Sequence, residues 1–135
     1  MRVAVLLACG LIAGCTTVSH ESSPAAKATT KRSLTAEEVA TVQEGVRKSL
    51  KDPNSAMFGP MTGAQEGNDH TWVCGVVNAR NSFGGYTGDK PFMGMLVHML
   101  AGGKTLKMFQ VTGMGGTDSE TYATMEMCRR YGVVS

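Results

Sequence analysis

The same four-residue signature occurs near both ends of the apolar part of this chain. Thr35 stands three residues before Glu38, and Thr117 three residues before Glu120. In such a pair the threonine hydroxyl accepts from the glutamate backbone N–H. The carboxylate reaches back to the threonine N–H, so each pair marks a helix start. Asp118 is an alternative cap for the second helix. After the first start, Val39, Val42, Val46 and Leu50 recur at helical spacing. Leu34 and Val39 fall at the positions of a hydrophobic staple. Asp52-Pro53 ends the run, because proline disfavours helix at the residue before it. Gly45 inside this helix carries a small propensity cost.

Between the two helices the text is strand-like. Residues 55–61 form a short first strand, moved toward an edge by Pro60, and residues 62–69 read as a loop. Residues 70–80 alternate, with Trp72, Cys74 and Val76 on one face and Val73 and Val77 on the other. Residues 91–100 are apolar on both faces, as in a central strand or, less favoured, a short helix. Gly102-Gly103 is a two-residue hairpin turn, and the strand from Thr105 is its partner. Residues 113–116, "GMGG", break the pattern before the last helix. There Tyr122, Met125 and Cys128 share a stripe. The order α-β-β-β-β-α predicts an α+β domain: a small antiparallel sheet of about four strands, with both terminal helices packed on one face.

The N-terminus reads as an address. Arg2 precedes an apolar run over residues 3–13, too short for a membrane-spanning helix of about 20 residues and suited to a secretory signal. Residues 12–15, "IAGC", resemble the lipobox of bacterial lipoproteins: an aliphatic residue, two small ones, then cysteine. The resemblance implies that residues 1–14 are removed. It also implies that Cys15 becomes the N-terminus, carrying a diacylglyceryl thioether and an amide-linked acyl chain such as palmitate. A plain secreted protein with a cysteine near its cleavage site is the alternative. Two or more acyl chains give stable anchoring. Thr16, where bacterial sorting patterns have Asp for retention, favours the outer membrane facing the periplasm. Residues 16–33 are rich in Ser, Thr, Ala and Lys and hold almost no large apolar side chain. They read as a flexible tether that spans roughly 25 Å on average. The single domain is expected over 34–135.

Four cysteines then have separate fates. Cys9 leaves with the signal and Cys15 is acylated. Cys74 and Cys128 remain in an oxidising compartment and are expected to pair. Cys128, on the inward stripe of the last helix, is placed to meet a strand carrying Cys74. The alternative, a reactive thiol, lacks a histidine at a telling spacing.

Charge excludes one class of partner. The net charge is +2, but residues 34–135 hold nine Lys and Arg against ten Asp and Glu. A nucleic-acid reader shows a basic face, and none is expected here. The glycine-rich stretch 81–92, "NSFGGYTGDKPF", fails as a phosphate loop. The Walker pattern needs Ser or Thr after Gly-Lys and then a helix, whereas Lys90 is separated from Gly88 and followed by Pro91 and a strand. No nucleotide and no other cofactor is expected. Two readings of this stretch remain. It is a connection in which Gly84, Gly85 and Gly88 supply positive φ, Asn78 and Asn81 bond local backbone, and Phe83 and Tyr86 fold back as a lid. Or it is a contact loop that offers Asn81, Phe83, Gly84, Gly85, Tyr86 and Gly88 to a partner.

Residues 50–58, "LKDPNSAMF", and 73–92, "VCGVVNARNSFGGYTGDKPF", resemble a group of small exported bacterial proteins. The group shares Lys-Asp-Pro-x-Ser-Ala-x-Phe, then Cys-Gly-x-Val-Asn and Gly-Gly-Tyr-x-Gly. Its cysteine corresponds to Cys74. The resemblance covers less than half of the domain and implies export and a shared fold, with nothing catalytic.

Candidates for chemistry are few. His70 beside Asp69 has the makings of a general base but names no nucleophile. His98 lies in an apolar strand and reads as a packed residue. No His, Cys or Asp spacing matches a zinc or calcium site. Met93, Met95, Met99, Met108, Met114, Met125 and Met127 read as flexible core filler, with copper(I) capture the sharper alternative. The expected function is therefore a membrane-anchored, non-catalytic module that binds or supports another envelope protein. An inhibitor or immunity-type protein that inserts the Gly-Gly-Tyr loop into an enzyme is the runner-up. A hydrolase using His70 comes last.

Overall fold

The computed structural model describes residues 29–133. Cys15, the signal and most of the tether lie outside the described residues. The chain runs β1 (Thr30–Arg32), α1 (Ala36–Arg47), a 3-10 turn (Pro53–Ser55), β2 (Met57–Glu66), β3 (His70–Asn78), β4 (Lys90–Ala101), β5 (Lys104–Met114) and α2 (Asp118–Arg130). The strands form one antiparallel sheet in chain order. Cys74 and Cys128 are joined by a disulfide. The α+β class, the antiparallel sheet and the bridge are as the sequence led us to expect.

Both helix starts form as capping boxes. Thr35 Oγ1 accepts from Glu38 N at 3.2 Å and Glu38 Oε2 accepts from Thr35 N at 2.9 Å. Thr117 and Glu120 repeat the exchange at 3.3 and 2.8 Å. Gly102 and Gly103, both at positive φ, close the β4–β5 hairpin, as a two-residue primed turn requires.

The two helices lie on opposite faces of the sheet, which corrects the expectation of one shared face. Val73 and Val77 pack with Val42 and Val46 of α1 and with Phe92, Leu96 and Phe109. Cys74, the residue after Val73, packs with Ala64, Met93 and Cys128 of α2. Successive strand residues face opposite ways, so a helix tied to Cys74 cannot share a face with one seated on Val73. The core is thus two apolar layers, one on each side of β3 and β4.

Three local expectations also change. The tether was expected to run to Ser33, but Thr30–Arg32 pairs with residues 63–65 of β2 as a fifth, edge strand. Second, β2 continues through residues 62–66, where a loop was expected. Pro60 sits at a register shift between Phe58 and Met61, so its missing N–H falls at a bulge and the strand survives it. Third, the buried positions of α2 are Thr124 and Cys128, while Tyr122 and Met125 are exposed. The bridge at Cys128 and the stacking of Tyr131 on Trp72, centroids 4.1 Å apart, set which side of α2 faces inward.

Gly45 shows why α1 sits so close to the sheet. A Cβ built there would lie 2.6 Å from the Phe109 carbonyl oxygen and 2.9 Å from its ring. Helix propensity alone says that Gly45→Ala stabilises by about 1 kcal/mol. The contact reverses the sign, because neither the backbone of β5 nor the buried ring can yield cheaply. We expect a net loss of about 1–3 kcal/mol, read as a lower urea midpoint with unchanged slope.

Candidate functional site

The glycine-rich connection between β3 and β4 is built around Asn81. Its side-chain Oδ1 accepts from Phe83 N at 2.9 Å and from Gly85 N at 3.1 Å. Its backbone N donates to Gly85 O at 2.8 Å, and its backbone O accepts from Gly84 N at 3.0 Å. Gly84 and Gly88 hold φ of 84° and 81°, which an L side chain adopts only with strain. Gly85 does not have a positive φ, so one of the three glycines expected to supply it does not. Asn78 also departs from expectation, since its buried Oδ1 finds no hydrogen bond among the described residues.

Further out, Arg80 bridges to Tyr86 across the loop, and its guanidinium carbon lies 5.2 Å from the Tyr86 ring centroid. Thr87 N donates to Ala79 O at 3.3 Å. These bonds fix the loop from inside and leave its aromatics outside. Phe83 is 97% exposed and Tyr86 45%, so Phe83 does not fold back as a lid. At the foot of the loop is a cavity of about 200 Å³ lined by Ser49, Lys51, Arg80, Asn81, Thr87 and Lys90, among others. Three of those side chains carry positive charge.

The other sequence candidates lie elsewhere. His70 opens β3 in the exposed class, paired with Glu66 and Val97. The Asp69 carbonyl accepts from His98 N at 3.2 Å. Neither His70 nor Asp69 lines the cavity at the loop. They lie at the other end of β3 from residues 81–88. A second hollow, about 250 Å³, is apolar and bounded by Pro60, Val76, Met125 and the Cys74–Cys128 bridge. Among the described residues, no group of three or more His, Cys, Asp or Glu converges as a metal site would. Among them, too, no helix is long and apolar enough to cross a membrane.

One charged cluster was not anticipated. Glu38 is buried and receives both terminal nitrogens of Arg32, at 2.8 and 2.7 Å. Arg32 also donates to Gln65 Oε1 at 2.9 Å and Thr71 Oγ1 at 3.0 Å. His98 Nε2 stands 3.7 Å from Glu38 Oε1. The Arg32 bonds hold the Glu38 carboxyl down at about 2 against the opposing push of burial, with help from the Thr35 N–H. Because the acceptors are saturated, the cluster reads as a clasp between β1, α1 and the sheet. Sequence reasoning missed it because Arg32 sits in a stretch with almost no large apolar side chain to suggest order.

Comparisons with protein-family models, curated proteins and solved structures return no match.

Proposed function

We propose that this chain is a lipoprotein of the bacterial envelope, acylated at Cys15 and held on the periplasmic side of the outer membrane. Its domain acts as a non-catalytic module that binds or supports another envelope protein, and residues 81–88 are its contact surface. Phe83 carries the reading. A fully exposed phenylalanine on a loop already fixed by its own hydrogen bonds loses little freedom when it is buried in a partner, and such preorganisation raises affinity. Buried aromatic anchors also dominate interface energetics. The cavity beneath, with Lys51, Arg80 and Lys90, suits a carboxylate on the same partner. An inhibitor that inserts this loop into an enzyme would use the same surface, with Tyr86 as a second anchor.

The test is crosslinking and pull-down of the anchored protein from its native envelope. Phe83→Ala should lower recovery of the crosslinked partner by tenfold or more, a loss of about 1.4 kcal/mol or greater. The stability of the domain should change by no more than about 0.5 kcal/mol, as for other exposed positions. Unchanged recovery with Phe83→Ala and Tyr86→Ala together would remove the loop from the function. A variant that unfolds would make the loop a structural element.

A further inference from the structure

The sheet has two distinct ends. Thr30, Gln65, Thr71, Leu96 and Phe109 are in register across it. From that row β1 runs toward Gly63, so the described chain begins at the end of the sheet that carries the β2–β3 turn. The β4–β5 hairpin projects the same way. Its tip is about five residues beyond Leu96, or about 15 Å at strand rise. Residues 81–88, which follow the far end of β3, lie at the other end of the sheet.

The projecting hairpin is apolar where it is exposed. Leu100 is 83% exposed, and Met99, Leu106 and Met108 are also exposed. Met99 and Leu106 are register partners, as are Val97 and Met108. These pairs lie on the α2 face, beyond the area around Cys74 and Met93 that α2 covers. Leu100 is on the α1 face. The tip therefore presents apolar side chains on both sides.

The hairpin itself carries positive charge and no carboxylate. Residues 90–117 contain no Asp or Glu. Lys104 is exposed at the tip, Lys31 on β1 and Arg130 at the end of α2. The end of α2 is tied to the start of the described chain, since Tyr131 O accepts from Thr29 Oγ1 at 2.8 Å. Three carboxylates stand behind the tip, and those of the β2–β3 turn are nearer to it than Lys31 is. Asp69 is level with His98, Glu66 accepts from Trp72 Nε1 at 2.6 Å, and Glu37 is paired with Lys107 at 2.6 Å.

We propose that the β4–β5 hairpin tip, residues 99–106, is a membrane-contact surface that seats the domain on an anionic lipid bilayer. Residues 81–88 then face away from it. The length of chain outside the structure supports this occupant. Thirteen residues lie between Cys15 and Thr29, a reach of at most about 50 Å, and the described chain begins at the same end as the tip. Leu100, Met99 and Leu106 would enter the headgroup and acyl boundary while Lys104 stays with the phosphates, as interfacial anchors do. The acyl chains fasten the protein to the bilayer and the hairpin adds a second, weaker contact on the same surface, so that together they hold one orientation. This inference rests on acylation of Cys15, proposed above.

The test uses the full acylated chain reconstituted in vesicles of phosphatidylethanolamine and phosphatidylglycerol, with part of the lipid brominated in the acyl chain. Leu100→Trp and Phe83→Trp are compared after subtraction of the wild-type Trp72 emission, and circular dichroism verifies that each variant is folded. The added tryptophan at 100 should shift to the blue and be quenched by brominated lipid, and that at 83 should do neither. Replacing phosphatidylglycerol with phosphatidylcholine should weaken the quenching at 100. Equal behaviour at the two positions, or no quenching at 100, overturns the proposal while leaving the anchor standing. A blue shift at 100 that disappears on dilution and ignores bromine assigns the tip to a second copy of the chain instead, and also overturns it. An unacylated Cys15 in the mass spectrum removes the anchor itself and this inference with it.

Discussion

Replacing both Cys74 and Cys128 with alanine should lower the unfolding free energy by about 4 kcal/mol. The bridge spans 54 residues, and the loop-closure entropy it removes from the unfolded chain is worth about that much. For a domain near 100 residues this is a large part of a net stability of 5–15 kcal/mol. The melting temperature should fall by roughly 15–30 °C. The structure adds a reason why the loss is felt locally. Cys74 and Cys128 are both buried, in the layer between α2 and the sheet. That layer has fewer large side chains than the one under α1, which holds Phe92, Leu96 and Phe109. Without the bridge α2 keeps the Trp72–Tyr131 stack and the packing of Met127 and Val133 near Ala64 and Met93, a smaller set than holds α1, so hydrogen exchange in α2 should accelerate before exchange in α1. Equal acceleration in both helices would mean that the bridge acts on the whole domain through the unfolded state alone.

Arg32→Ala is the second large effect, and it separates the structure from the sequence reading most sharply. If residues 16–33 were all tether, the substitution would change stability by no more than about 0.5 kcal/mol. With Arg32 clasping buried Glu38, removal leaves a desolvated carboxylate without its partner, at a cost of about 3 kcal/mol. The same pair gives a pH signature. The Glu38 carboxyl falls from its ordinary 4.5 to about 2 in the folded protein. A carboxyl depressed on folding stabilises fully above its unfolded value and loses that contribution as pH drops through the folded one. Between about pH 5 and pH 2 the wild-type domain should therefore lose about 3 kcal/mol from this group. Glu38→Gln should flatten that part of the stability profile. A wild-type profile with no slope between pH 5 and pH 2 would contradict the assignment.

How much of this was legible beforehand depends on what kind of signal each element carries. The capping boxes at Thr35 and Thr117 are local chemistry, and they formed where read. The alternation of Val73 and Val77 against Trp72 and Cys74 was read correctly along β3. It also held the information that the helices take opposite faces, because Cys74 binds α2 and its neighbour Val73 does not. What was missing was the partner of the α1 stripe, a long-range contact with Phe92, Leu96 and Phe109 that no spacing encodes. β1 was invisible because a Thr-Lys-Arg edge strand buries almost nothing; its pairing with β2 and the Arg32 clasp hold it in place. The span 62–66 looked like a loop because Thr, Gly, Gln and Glu carry weak strand preference on their own. In the loop at 81–88, the need for glycines at 84 and 88 was readable. The role of Asn81 as its hub, and the outward stance of Phe83, depend on a closed ring of hydrogen bonds that sequence spacing only hints at.

The proposed export would leave two covalent marks on the chain: acylation at residue 15 and the Cys74–Cys128 bridge. Intact-mass and non-reducing peptide analysis of the protein taken from its native cells measures both at once. It should find a mature chain beginning at an acylated Cys15 and one peptide pair joined through Cys74 and Cys128. A chain that retains residues 1–14, with no acyl group and with both sulfhydryls free, would contradict it.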